Sequence, residues 1–307
     1  MKQPIFRSFD PFVQILFLSL LCLGSLSIAL FMAKGLVGFL WGIDIFEEAS
    51  MLTDWRNPAV IHINRVLLLF QHIGLFIVPA FIFVRLVSYN QKSYLLAARL
   101  PEAKYFLGTF LLIIFSLIPI NYLLFLNQQA NLPAFLRNAE DSAEELTKAL
   151  LAGKTYSILL VNIFIVALLP AIGEELIFRG IILKIIARWR NNIHMGIWVS
   201  AFVFSAIHMQ FYGFVPRMLL GGLLGYIMVW SGSIFASMFA HFLNNTIAIL
   251  LNFYISNQKI PAMVDTIGTK QEDWLAVLIS LVLFLAVLYF FTKQSKWKSI
   301  KGVYFID

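Results

Sequence analysis

Residues 218–258 read MLLGGLLGYIMVWSGSIFASMFAHFLNNTIAILLNFYISNQ, 41 consecutive positions without Asp, Glu, Lys or Arg. A helix crosses the ~30 Å of bilayer hydrocarbon with ~20 apolar residues, so this run holds two spans. Ser231-Gly232-Ser233 near its middle supplies the turn between them. Six further stretches lack the same four residue types, 12–33, 66–84, 105–136, 155–173, 191–216 and 274–292, and each holds one span. The expected fold is an all-α membrane protein, a bundle of about eight transmembrane helices.

Composition agrees with that reading outward along the whole chain. Of 307 residues, 60% are hydrophobic and only 13% charged, against roughly 25% charged in a soluble domain. A soluble globule is excluded, and so are disorder, a basic nucleic-acid-binding face, collagen and a disulfide scaffold, each of which needs another composition. Cys22 is the single cysteine, so no intrachain disulfide forms.

Charge sets the orientation. With the N-terminus inside, the cytoplasmic segments carry Lys2, Arg7, Arg85, Lys92, Arg99, Lys104, Arg179, Lys184, Arg188, Arg190, Lys293, Lys296, Lys298 and Lys301, 14 of the 23 basic residues. The outer segments carry 11 of the 16 acids, among them Asp44, Glu47, Glu48, Asp54 and the cluster Glu140, Asp141, Glu144, Glu145. The positive-inside rule therefore places both termini in the cytoplasm, and the expected location is the cell (inner) membrane. The first apolar run, 22 residues, is longer than a signal-peptide core and reads as a retained span. The C-terminal residues 304–307 contain no cysteine and form no prenylation site.

Four regions follow from this pass. Residues 1–127 form an N-terminal three-span region, poor in polar groups at depth. Residues 128–154 form an outer segment in which Phe135, Leu136, Leu146 and Leu150 recur among acids, the pattern of an interfacial helix. Residues 155–251 form the core that carries ionisable groups into the membrane, and residues 252–307 an outer loop, the last span and a basic cytoplasmic tail.

Three groups in the core carry chemistry. The first is Glu174-Glu175-Leu176-Ile177-Phe178-Arg179. A charge at the helix centre costs ~2.5–3.5 kcal/mol on insertion, so adjacent carboxylates there need partners or a purpose. Arg179 lies one turn beyond Glu175 and pairs with it. Glu174 points about 100° away around the helix; partly desolvated and less well paired, it is the candidate general base. For these carboxylates to meet groups deeper in the bundle, the fourth helix must run past Arg179 toward Trp189.

The second group is Phe204 and His208, four apart, so the ring walls one side of the imidazole. The third is His241 and Asn245, whose side chains project from one face and suit an oxyanion hole. Packing accounts equally well for each group alone: an interfacial charge cluster, a histidine bonded to a carbonyl, polar contacts between helices. His62, His72 and His194 read as packed residues of that kind, and Gly221, Gly222 and Gly225 as close-approach positions between helices.

Together the three groups resemble a known family. Glu174-Glu175-x-x-x-Arg179, Phe204-x-x-x-His208 and His241-x-x-x-Asn245, in this order, are similar to the motifs of the CAAX prenyl protease and bacteriocin-processing (CPBP, Abi) family of intramembrane glutamate proteases. The resemblance covers about residues 155–251. It implies a polar cavity open to the cytoplasm, water activated by Glu174 and His208, support from Glu175, Arg179 and Phe204, and an oxyanion held by His241 and Asn245. It further implies hydrolysis of a peptide bond near the cytoplasmic membrane surface, with no cofactor. A zinc site would need His208, His241 and a glutamate from three helices, and no His-Glu-x-x-His occurs. The expected partners are a peptide or membrane-protein substrate and the lipid bilayer, with no nucleic acid and the oligomeric state open. The alternatives are a non-catalytic immunity or sensor-interacting member of the same family and a metal-dependent protease. A proton-coupled transporter fits less well, since the chain shows no internal repeat.

Overall fold

The computed structural model describes residues 4–264 and 266–295. Lys2, the tail lysines Lys296, Lys298 and Lys301, and residues 304–307 lie outside them. Among the described residues the chain is helical and contains no strand. In chain order the helices longer than two turns are α1 (Pro11–Trp41), α2 (Pro58–Val87), α3 (Ala103–Gln128), α4 (Ala134–Leu151), α5 (Tyr156–Arg190), α6 (Ile193–Ala206), α7 (Phe214–Ser231), α8 (Ile234–Ser256) and α9 (Gln271–Lys293). All but α4 and α6 are long and apolar enough to cross a bilayer, seven in all. The protein is an all-α, multi-pass membrane bundle.

The fifth expected span departs from the pattern. Its helix, α6, has 14 residues, about 21 Å at 1.5 Å per residue, short of the hydrocarbon thickness. The stretch is uncharged, but its polar side chains end the helix. The Ser205 hydroxyl donates to the Phe214 carbonyl at 2.6 Å, and His208 Nδ1 bonds the Phe204 carbonyl at 2.8 Å. Met209 then takes the left-handed conformation, φ 53°, and the chain turns back into α7. By contrast, the 218–258 run divides as its sequence indicates: Gly232 closes α7 at φ 71° and the Ser233 hydroxyl caps α8 at Phe235 N. The third run ends as a helix at Gln128, and α4 starts at Ala134, so Phe135 and Leu136 belong to α4.

Helix α5 runs unbroken to Arg190, as the depth of its carboxylates demanded. Three wide, π-helical stretches interrupt the regular ladder of α2 and α5, at Ile73–Ile77, Ile163–Leu168 and Leu176–Ile182. The first two each end two residues before a proline, Pro79 and Pro170. A proline cannot donate to the ladder and its ring crowds the carbonyl four residues back; a wider turn relieves both. The third begins immediately after Glu175.

Close helix approach holds α5, α6 and α7 together. A Cβ on Gly196 would lie 2.6 Å from the Leu183 carbonyl oxygen, so α6 rests on the backbone of α5, where the Ser200 hydroxyl donates to the Phe178 carbonyl at 2.7 Å. On α7, a Cβ on Gly221, Gly222 or Gly225 would meet Arg179, Trp198 or Ile197 at 3.2, 2.9 and 3.0 Å. These are the small residues read as close-approach positions. Buried Leu176, Ile177, Phe178, Ile181, Leu183, Ile185, Ile197 and Met228 fill the basic end of the bundle. That apolar core closes the bundle beneath the ionisable residues.

Candidate active site

Glu175 is fully buried and its carboxylate is saturated. Oε1 accepts from Arg179 Nη1 at 2.8 Å and from His241 Nδ1 at 2.9 Å, and Oε2 accepts from the Ser237 hydroxyl. Arg179, 1% exposed, donates also to the Gly221 carbonyl at 3.0 Å, with its guanidinium 4.5 Å from the Phe204 ring centre. A buried charge needs such company. The i, i+4 pairing read from the sequence therefore exists, and three helices are tied together through it.

Glu174, its neighbour, has no such set. Its nearest polar groups are His72 Nε2 at 3.6 Å from Oε1 and His241 Nε2 at 3.8 Å from Oε2, both beyond direct hydrogen-bond range. Two adjacent glutamates on one helix thus occupy opposite conditions, one fixed by three donors around it, the other facing a cavity.

Around this carboxylate the tautomers follow from the backbone. A carbonyl only accepts, so His208 Nδ1 at 2.8 Å from the Phe204 carbonyl and His72 Nδ1 at 2.9 Å from the Leu68 carbonyl both carry the proton. Each Nε2 is left with a lone pair. Phe204 is the hub of the aromatic packing: its ring meets His208 edge-on at 5.0 Å and His241 at 5.9 Å. The expected wall on His208 is present, and it extends to a second imidazole.

Glu174, His208, His241 and Asn245 line one cavity of about 450 Å³. On every helix the lining runs from Glu174 toward the same end: Val166 and Pro170 on α5, Ile120 and Leu124 on α3, Asn244 and Asn245 on α8, and Leu146 to Leu151 on α4. A second cavity of about 600 Å³ shares Glu174, His72 and His208 and reaches sideways between α1 and α6 past Leu23 and Ile207. The cavities thus extend from Glu174 toward α4 and sideways between α1 and α6, and the apolar core closes the opposite end.

Two expectations collide here. The charge bias puts the basic ends in the cytoplasm, while the family resemblance implies a cavity open to the cytoplasm. Among the described residues, ten basic residues belong to the segments at the end away from α4 and nine to those at the other end. In the full sequence the split is 14 against 9, and setting aside Arg179, Lys184 and Arg65, which the structure buries, leaves 12 against 8.

The donor pair also needs refinement. Asn245 spends one N–H on the Val166 carbonyl at 3.1 Å and accepts from Asn244 Nδ2 at 3.2 Å, which leaves one amide N–H. His241 donates from Nδ1 to Glu175, so Nε2 becomes a donor only when the ring carries both protons. His72 is the residue that sequence reasoning passed over. It does bond a carbonyl, as a packed histidine should, but its other nitrogen faces Glu174. Its helix lies outside the motif-bearing core, so no spacing signalled it. His62 and His194 stand apart, beside Arg65 and Tyr226.

Comparison with known proteins bears on the same residues. Residues 156–247 match the family model described as type II CAAX prenyl endopeptidase Rce1-like, the family that the three motifs resemble. The matched segment contains Glu174, Glu175, Arg179, Phe204, His208, His241 and Asn245. The uncharacterized protein YpbD of Bacillus subtilis (strain 168) is 30% identical over 86 residues, 27% of this chain and 41% of that protein. The chain thus spans less than half of that relative's length. No solved structure matches.

Proposed function

We propose that this chain, which carries an Rce1-like domain over residues 156–247, is an intramembrane endopeptidase that uses Glu174 to activate water. The observation that carries the reading is the contrast between the two glutamates. Glu175 is locked by Arg179, His241 and Ser237, and Glu174 stands unlocked in the cavity with imidazole nitrogens turned to it. A carboxylate so placed suits general base work, and the fixed one suits support.

The chemistry follows the residues. A water held between Glu174 and His208 Nε2 gives its proton to Glu174 as its oxygen attacks the scissile carbonyl carbon. The carbonyl oxygen takes the negative charge and is met by the remaining N–H of Asn245 and, when the His241 ring carries both protons, by its Nε2–H, donors of the kind worth ~10²–10³ in rate each. Glu174 returns the proton to the departing nitrogen as the C–N bond breaks. His72 Nε2, 3.6 Å from Glu174 Oε1, can accept from a water that also donates to that carboxylate oxygen. No metal enters this scheme, and Phe204 limits water around His208 and Arg179.

The basic residues of the chain itself argue for cytoplasmic termini, and the cavity then faces the outer leaflet, beneath α4. The substrate class is a peptide or a membrane-protein segment entering from that side or sideways from the bilayer. Incubation of the purified full chain with a diverse peptide library, with and without chelator, tests the reading through new termini found by mass spectrometry. Chelator-insensitive cuts support it; cuts abolished by chelator replace it with the metal-dependent version, and no cuts shift weight to a non-catalytic role.

A further inference from the structure

Arg217 stands in the wall of the 450 Å³ cavity and has no part in the chemistry above. Its Nη2 donates to Gln210 Oε1 at 2.5 Å, a neutral acceptor that sets the plane of the guanidinium. Its Nη1 is buried without a hydrogen-bond partner. Among the described residues no carboxylate lies within ion-pair distance of it. Glu140, on the overlying helix, is instead engaged by the Tyr212 amide at 2.8 Å. Gly213 makes the room: a Cβ there would lie 2.7 Å from Arg217 Nη2.

A desolvated guanidinium with an unused N–H costs stability unless something anionic completes it. We propose that Arg217 is the anion-binding residue of this cavity and takes a carboxylate carried by the substrate, from a free C-terminus or from an acidic side chain. Planar, forked donors match a carboxylate in this way. The inference rests on the cavity being the substrate site, yet it concerns binding, so it is tested apart from cleavage.

The experiment uses the full chain in detergent and fluorophore-labelled apolar octapeptides in three forms: free acid, C-terminal amide, and amide with one internal Glu. The account expects at least one carboxylate form to bind about tenfold more tightly than the plain amide, and the form that does so identifies the carboxylate's source. Arg217→Gln should erase that preference, Arg217→Lys should keep part of it, and Arg56→Gln, exposed and outside the cavity, should leave it intact. Thermal melting confirms the fold, and the lysine variant carries the test where the glutamine variant fails to fold. Equal binding of acids and amides by the native chain overturns the proposal, as does a preference that survives Arg217→Gln in a folded protein. Mass spectrometry of the same mixtures separates the two readings: a carboxylate preference without new termini keeps the anion site and rejects the peptidase, and new termini without the preference do the reverse.

Discussion

Replacing Glu175 by alanine removes the shared acceptor of three donors in one step. Arg179 Nη1 at 2.8 Å, His241 Nδ1 at 2.9 Å and the Ser237 hydroxyl all lose their partner. Arg179 keeps the Gly221 carbonyl at 3.0 Å and the Phe204 face, but its charge, 1% exposed, has no counter-ion left nearby except the more distant Glu174. Breaking a buried pair from one side costs ~3–5 kcal/mol. Glu174→Ala removes only contacts at 3.6 and 3.8 Å, worth under ~1 kcal/mol at such lengths. Neighbouring glutamates on one helix therefore differ by ~2–4 kcal/mol in what they hold together. Unfolding of the full chain in mixed micelles by a denaturing detergent, followed by tryptophan fluorescence, measures both. The double variant Glu175→Ala, Arg179→Met should cost less than the sum of its single changes, because it removes the orphaned charge with its partner. Equal costs for Glu174→Ala and Glu175→Ala, or strict additivity in the double variant, would refute this account of the pair.

Other consequences are equally open to measurement. Gly196→Ala drives a methyl into the Leu183 carbonyl at 2.6 Å and should destabilise the α5–α6 contact by ~1–3 kcal/mol in the same detergent titration. His72→Leu keeps the volume of the side chain and removes the nitrogen beside Glu174. Hydrolysis should fall at least about tenfold with the melting temperature little changed, and a fully active variant would remove His72 from the site. Orientation is accessible because Cys22 is the single cysteine. In a Cys22→Ser background, Asp141→Cys on α4 should react with a membrane-impermeant maleimide added to intact cells, and Arg190→Cys should react only after lysis. The opposite pattern would turn the bundle over.

Much of this site is legible before any coordinates. The Glu175–Arg179 pair follows from helical spacing, the wall of Phe204 on His208 from the same rule, and the continuation of α5 from the depth its carboxylates must reach. The division of residues 218–258 at Ser231-Gly232-Ser233 follows from length and turn chemistry. What stays hidden has physical causes. Absence of charge marks membrane residence but not helix continuity, so the break after Ala206, made by Ser205 and His208 bonding carbonyls, left the 191–216 run looking like one full span. His72 approaches Glu174 only through the packing of α2 on α5, a tertiary fact without a local pattern. Asn245 reads as a free donor until Val166 and Asn244 take part of its capacity. Arg217 ends an apolar stretch in the sequence and looks like a boundary marker; only the cavity shows that its guanidinium points inward unpaired. The π-helical stretches beside His72 and Glu175 shift side-chain phase relative to a regular helix, which a period of 3.6 cannot anticipate.

The central claim is that Glu174, and not its locked neighbour, carries the chemistry. Reconstituting the full chain and its Glu174→Ala variant into liposomes, exposing each to the same peptide library and counting new termini by mass spectrometry tests it most directly. The account predicts cuts made by the native chain alone, from a variant that melts at the same temperature. Cuts of the same sites at the same rate by Glu174→Ala would contradict it.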